Sequence, residues 1–338
     1  MISPLLLALL LGVPGDEFEP GKVSTIKTKK LHYALRVPKK RSKKAGNPTI
    51  VFLHGSNMRG ENYAWSLETA RSLADWVLIC PTGPHKVMDK DMYNHDPGDE
   101  RYVAKVIEDV EERLGIKLSR VYVGGHSQGG FLSHAVAAHL PRKIDGVIAC
   151  SSGSWVSPRK LVKKGKGRGK LPIPVALVHA QDDPVVDVRA SIGVYDAYLK
   201  AGHEDVRLFI PAQGAHMFMR LPILDAVAWL DLMNETKRQN ALQILSRTKL
   251  DKDVRTAWDA ARIVKRLSKK GKNAKAESVL KKVRERAQKK AKDLEKRIKK
   301  AGKGLDAKLK AEAWSFLGDY GMLQSQGRWR KSLKRAMR

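Results

Sequence analysis

The stretch Ser119-Arg-Val-Tyr-Val-Gly-Gly-His-Ser-Gln-Gly-Gly130 decides how this chain is read. Val121–Val123 is a short apolar run of the buried-strand kind, and a helical pattern opens at Gly130. Between them Ser127 is flanked by paired glycines, because so tight a turn from strand to helix leaves no room for side chains beside it. The serine is held in a strained backbone conformation with its hydroxyl above the sheet edge. The helix beneath it presents a positive dipole end to any negative charge that develops there. This is the layout of a nucleophile elbow.

Outward from that stretch, strands and helices alternate from Lys22 to about Glu235. Lys30–Val37 alternates with period two and suits an early antiparallel strand. Thr49–Leu53 is continuously apolar, as expected of a strand buried on both faces of a parallel sheet. Similar runs recur at Val77–Cys80, Gly146–Cys150, Val175–Val178 and Arg207–Ile210. Helical stretches at Tyr102–Leu114, Gly130–Leu140 and Ser191–Ala201 separate them. This order predicts an α/β fold with a mostly parallel sheet and helices on both faces.

A serine hydroxyl is a weak nucleophile at neutral pH and needs a histidine base oriented by a carboxylate. Asp183 follows the strand Val175–Val178 in His179-Ala-Gln-Asp-Asp183-Pro-Val-Val186, at the sheet edge beside the elbow. Asp182 is the competing acid, with a turn-capping role as its plainer reading. His216, in Gly214-Ala-His216-Met, follows the last strand and can reach Ser127. The oxyanion needs two backbone N–H donors. Gln128 supplies one; Ser56, in His54-Gly55-Ser56-Asn57, is chosen for the other, with Asn57 as the fallback. His54 reads as a brace for that loop. His126 is expected to point away from the site, His139 and His203 to lie on the surface, and His85 and His95 to be solvated loop residues, with the rim of the pocket as their alternative place.

With these residues in view, the segment from about Lys30 to Glu235 resembles the α/β-hydrolase superfamily. Within it the chain resembles the phospholipase/carboxylesterase group and the polyhydroxybutyrate-depolymerase and feruloyl-esterase types. Leu53-His-Gly55, Gly60-Glu-Asn-Tyr63, Pro81-Thr-Gly83, Ser119–Gly130, Asp183-Pro-Val-Val186 and Gly214-Ala-His216 carry the resemblance. It implies a sheet of about eight strands, catalysis without metal or cofactor, and carboxylic ester or thioester substrates. Ala180 stands where these families usually have glycine. No long cap insertion follows Cys150, so the site is expected to be open to small or polymeric esters.

The net charge is +30, and about two thirds of that excess lies beyond Asn240. There the texture becomes helical, with Gly271 and Gly302-Lys-Gly304 dividing it into about three helices. In the middle one Leu280, Val283, Ala287, Ala291, Leu294, Ile298 and Ala301 share a face. Residues 241–338 thus read as a basic helical hairpin or small bundle filled by Trp258, Trp314 and Phe316, appended to a catalytic domain over 22–240. Its candidate roles are a solvated bundle, a protein-binding module, or a dock for an anionic surface such as a membrane or envelope polymer. Nucleic acid is less favoured, since no zinc spacing, helix-turn-helix or aromatic sheet face is present. The loop Ser157–Lys170 adds seven further cations near the active-site edge.

Residues 1–15 read as a signal peptide with a short apolar core, too short to span a bilayer. That points to export, periplasmic or extracellular, with a cytoplasmic protein as the alternative. Cys80 and Cys150 end strands that are not neighbours, which predicts two buried free thiols. The resulting expectation is a serine esterase working through an acyl-serine intermediate. A peptidase of the same fold and a non-catalytic anion-binding adaptor are the alternatives. The first would normally carry a large extra domain, and the complete triad argues against the second.

Overall fold

The computed structural model describes residues 19–40, 46–160, 173–301, 306–321 and 323. The signal-peptide reading and most of the Ser157–Lys170 loop lie outside them. The strands are β1 (Val23–Lys27), β2 (His32–Arg36), β3 (Pro48–Leu53), β4 (Val77–Pro81), β5 (His85–Lys86), β6 (Tyr93–Asn94), β7 (Ser119–His126), β8 (Ile144–Cys150), β9 (Val175–Val178) and β10 (Val206–Phe209). Eight of them form one sheet in the order β1-β2-β4-β3-β7-β8-β9-β10, and β5 and β6 make a separate hairpin. β1, β2 and β4 pair antiparallel, and every pairing from β4 to β10 is parallel. The expected eight-stranded, mostly parallel sheet is present.

Its central strands are buried and mostly apolar because both faces are covered. Preceding the C-terminal region are the helices α1 (Gly60–Glu68), α2 (Glu100–Leu114), α3 (Gln128–His139), α4 (Arg189–Lys200) and α5 (Arg220–Met233). Two cores result. One holds Val103, Val106, Leu132 and Tyr198; the other holds Tyr63, Leu67, Ile223 and Trp229. Cys80 and Cys150 are buried and free, on strands separated by β3 and β7.

Beyond Lys237 four helices are described rather than the three expected: α6 (Arg238–Arg247), α7 (Val254–Arg266), α8 (Ala274–Ala301) and α9 (Ala307–Tyr320). They do not stand apart from the sheet. Trp258, Ala261 and Val264 of α7 join the same core as Ile223 and Trp229 of α5, and Leu280, Val283 and Leu294 of α8 continue it. Trp314 and Leu317 of α9 join the opposite core. At Gly318 the α9 backbone comes so close to the edge strand that an added Cβ would stand 3.3 Å from the Leu208 carbonyl. The C-terminal helices therefore cover the β10 edge, which would otherwise offer unpaired backbone groups.

Candidate active site

The elbow forms where β7 ends between β3 and β8, with Gly125 in register with Leu53 on one side and Ala149 on the other. Ser127 adopts φ +52°, ψ −119°, a conformation that costs a non-glycine residue energy and is held by its surroundings. Its N–H donates to the Cys150 carbonyl at 2.9 Å. The glycines are required by contact: a Cβ on Gly125 would fall 2.3 Å from the Gly129 carbonyl carbon, and one on Gly129 would fall 2.4 Å from the Leu53 oxygen.

Asp183 and His216 meet at the same edge, after β9 and β10. His216 Nδ1 lies 2.8 Å from Asp183 Oδ2 and 3.0 Å from Oδ1. Asp183 also accepts from the Val185 and Val186 N–H groups, each at 2.9 Å. Burial works to raise its pKa, but the hydrogen bonds from His216 and these amides outweigh it and hold the carboxylate below its ordinary value. The His216 ring packs 4.9 Å, centroid to centroid, from His126, the residue before the serine. Asp182 does something different: its Oδ1 accepts the Ala215 N–H at 2.8 Å, and Ala215 has a positive φ of 46°. It braces the loop that carries the histidine.

The loop after β3 lies against the serine, since a Cβ on Gly55 would stand 3.5 Å from Ser127 Cβ. His54 is fully buried, with Nδ1 2.6 Å from the Gly55 carbonyl and Nε2 accepting the Gly83 N–H at 2.8 Å. Burial drives its pKa down to about 4, so it is a neutral brace, as read from the sequence. The Asn57 N–H is engaged by Asn94 Oδ1 at 2.9 Å, which weakens its claim as an oxyanion donor relative to Ser56. Gln128 opens α3, where N–H groups lack intrahelical partners, and its side-chain oxygen accepts the His95 N–H at 2.8 Å.

A profile of the phospholipase/carboxylesterase family matches residues 99–232. The chain is 29% identical over 171 residues to acyl-protein thioesterase 1 of Cryptococcus neoformans, covering 44% of this chain and 71% of that protein. It is 25% identical over 218 residues to acyl-protein thioesterase 1 of Debaryomyces hansenii, covering 56% and 92%. Zea mays acyl-protein thioesterase 2 superposes with a TM-score of 0.44 at 20% identity, covering 59% of this chain and 96% of that one. The chain has the α/β-hydrolase fold.

Three histidines of this α/β-hydrolase sit otherwise than the sequence suggested. His95 is fully buried and stacks 4.3 Å from His54. Gly83 crosses so near Asn94 that no side chain fits between them, and this crossing carries His95 inward. His203 is buried against Tyr198. His126 does not point away; its Nδ1 is 2.8 Å from the Tyr63 hydroxyl and its ring backs His216. His85 and His139 are exposed, as expected. The residue that the sequence reading passed over is His179, buried with Nε2 3.2 Å from Asp183 Oδ2 and 2.7 Å from the Val186 carbonyl. Its place at the end of β9, four residues before the aspartate, was the available signal.

Proposed function

We propose that this hydrolase cleaves a carboxylic ester or thioester through an acyl-serine intermediate, with Ser127, His216 and Asp183 as the triad. The Asp183–His216 hydrogen bond at the elbow edge carries the reading. With Nδ1–H donated to Asp183, His216 keeps Nε2 as the free base. Ser127 Oγ attacks the acyl carbon as its proton passes to Nε2. The oxyanion is held by the N–H groups of Gln128 and Ser56. The imidazolium then protonates the departing alcohol or thiol, and water deacylates the serine by the same steps in reverse roles. The thioesterase relatives favour thioesters as the second substrate class to be tried.

A fluorophosphonate probe should label the protein once, and Ser127→Ala should abolish labelling. Turnover of p-nitrophenyl esters should fall on the order of 10³-fold or more. Labelling that persists in the alanine variant would remove Ser127 from the mechanism. A parallel panel of acyl thioesters and aminoacyl amides separates thioesterase and peptidase chemistry from ester cleavage.

A further inference from the structure

The helix α8 presents two faces of opposite character. Ala276, Leu280, Val283, Ala287, Ala291, Leu294 and Ile298 are buried. Diametrically opposite, Lys282, Lys289 and Lys296 recur every seven residues, Lys292 and Lys299 lie beside them one turn on, and Lys281 and Lys300 complete the row. All seven are exposed. The row runs about 29 Å along the helix at 1.5 Å per residue.

Four other cations of α8 have partners within the chain, while Lys275, near the start of the helix, is exposed. Arg284 lies over the Trp258 ring, Lys290 over Tyr320, Arg286 donates to the Leu250 carbonyl, and Arg297 pairs with Asp293 and Glu312. Among the described residues, none of the seven row lysines has an ion-pair partner. Glu285 alone interrupts the row. Seven lysines with one carboxylate among them repel one another, and an external anionic surface relieves that repulsion.

We propose that the α8 lysine row is a docking face for an anionic lipid bilayer, which it contacts without inserting. Three observations choose the partner. The seven lysines fan over about 100° of the helix circumference on the side away from the core, so their long side chains can reach one plane. A helix seated in a duplex groove meets phosphates along both flanks, yet the flanks of α8 carry Glu277, Asp293 and Glu295. The exposed large apolar residues, Met58, Trp65, Met88, Met92, Val185, Met217 and Leu221, all lie outside α8. The face therefore has neither an apolar wedge for the acyl layer nor an aromatic platform for unpaired bases. What remains is charge, supplied by lysine as point charges rather than as arginine forks.

The test uses the full chain and sedimentation with phosphatidylcholine vesicles, with or without about 40% phosphatidylglycerol. The protein should bind only the anionic vesicles, and binding should drop steeply as salt rises from about 50 to about 200 mM. The variant K282Q/K289Q/K292Q/K296Q should lose on the order of 10²- to 10³-fold in partitioning, given the attraction of each lysine near such a surface. It should keep the melting temperature and small-ester turnover of the parent. A control of equal charge, K29Q/K30Q/K39Q/K40Q, should bind nearly as the parent does. Equal losses in both variants would assign the effect to net charge and overturn the docking face, as would absence of vesicle binding. Tighter binding of a duplex of about 30 base pairs than of anionic vesicles at the same salt, abolished in the row variant, would reassign the face to nucleic acid.

Discussion

Arg255 and Asp259, one turn apart on α7, form an ion pair at 2.7 Å with both side chains shut off from water. Arg255 also donates to the Val206 carbonyl of β10 at 3.0 Å, and Asp259 accepts the Trp229 indole N–H of α5 at 2.8 Å. A buried charge pair hydrogen-bonded to two elements of the catalytic body ties α7 to that body. In sequence, residues 241–338 read as a bundle appended to a catalytic domain over 22–240. Here the two share a core, so removing the helices would strip the cover from β10 and take away the partner of the Trp229 indole.

A chain ending at Arg247 should accordingly be insoluble or lack a cooperative thermal transition. Within the full chain, Asp259→Ala should destabilise by about 3–5 kcal/mol, because it leaves the Arg255 charge buried without its partner. Chemical denaturation measures the difference. A soluble, active truncation with an unchanged midpoint would refute the integral role of α7.

Asp183 and Asp182 should separate cleanly under substitution. Asp183→Asn removes the acceptor that fixes the His216 tautomer and should cost on the order of 10⁴-fold in kcat. Asp182→Asn retains an oxygen that can still accept the Ala215 N–H and should cost less than about tenfold. Steady-state kinetics on one small ester decides it, and comparable losses would mean the two carboxylates share the work.

Much of this was legible in the sequence because it is local. The elbow needs its glycines close to the serine, the parallel strands carry apolar runs, and Asp183 and His216 each follow a strand end. What was missed depends on distant contacts. Val23–Lys27 is half-exposed and pairs only with β2, so its pattern is weak. His95 is carried inward by a chain crossing at Gly83, fixed by no neighbour in sequence. Arg255 looks like one more helical surface charge until β10 and α5 are placed around it. The apolar seam of α8 was visible, but nothing in a seam states which surface it covers.

Buried histidines make the fold sensitive to mild acid. Burial lowers His54 and His126 to about 4, His134 to about 3, and His95 well below its ordinary value of 6.5. Each folded-state pKa is depressed, so the unfolded chain binds more protons between about pH 6.5 and 4, and stability falls as pH falls through that window. Denaturation measured from pH 7 to pH 5 should show net proton uptake on unfolding that grows as pH falls, with His179 and His203, also lowered by burial, adding to it. Flat stability across this range would contradict neutral burial of these rings.

The proposed oxyanion donors, Ser56 and Gln128, adjoin or belong to residues held by the chain at Asn94 and His95. Asn94 holds the Asn57 N–H, and the next residue, His95, holds the Gln128 side chain through its own N–H. Two adjacent residues thus brace the two segments that would carry the donors. Gln128→Ala removes the tether while preserving the backbone donor. It should lower kcat by on the order of tenfold with little change in KM, less than the 10²- to 10³-fold expected for losing a donor outright. Gln128→Glu keeps an acceptor oxygen and should recover most of kcat; Asn94→Asp should likewise recover the loss seen in Asn94→Ala. Because all four variants retain the triad, fluorophosphonate labelling should persist in each. A rise in KM at constant kcat would instead place this loop in substrate binding and remove it from control of the oxyanion.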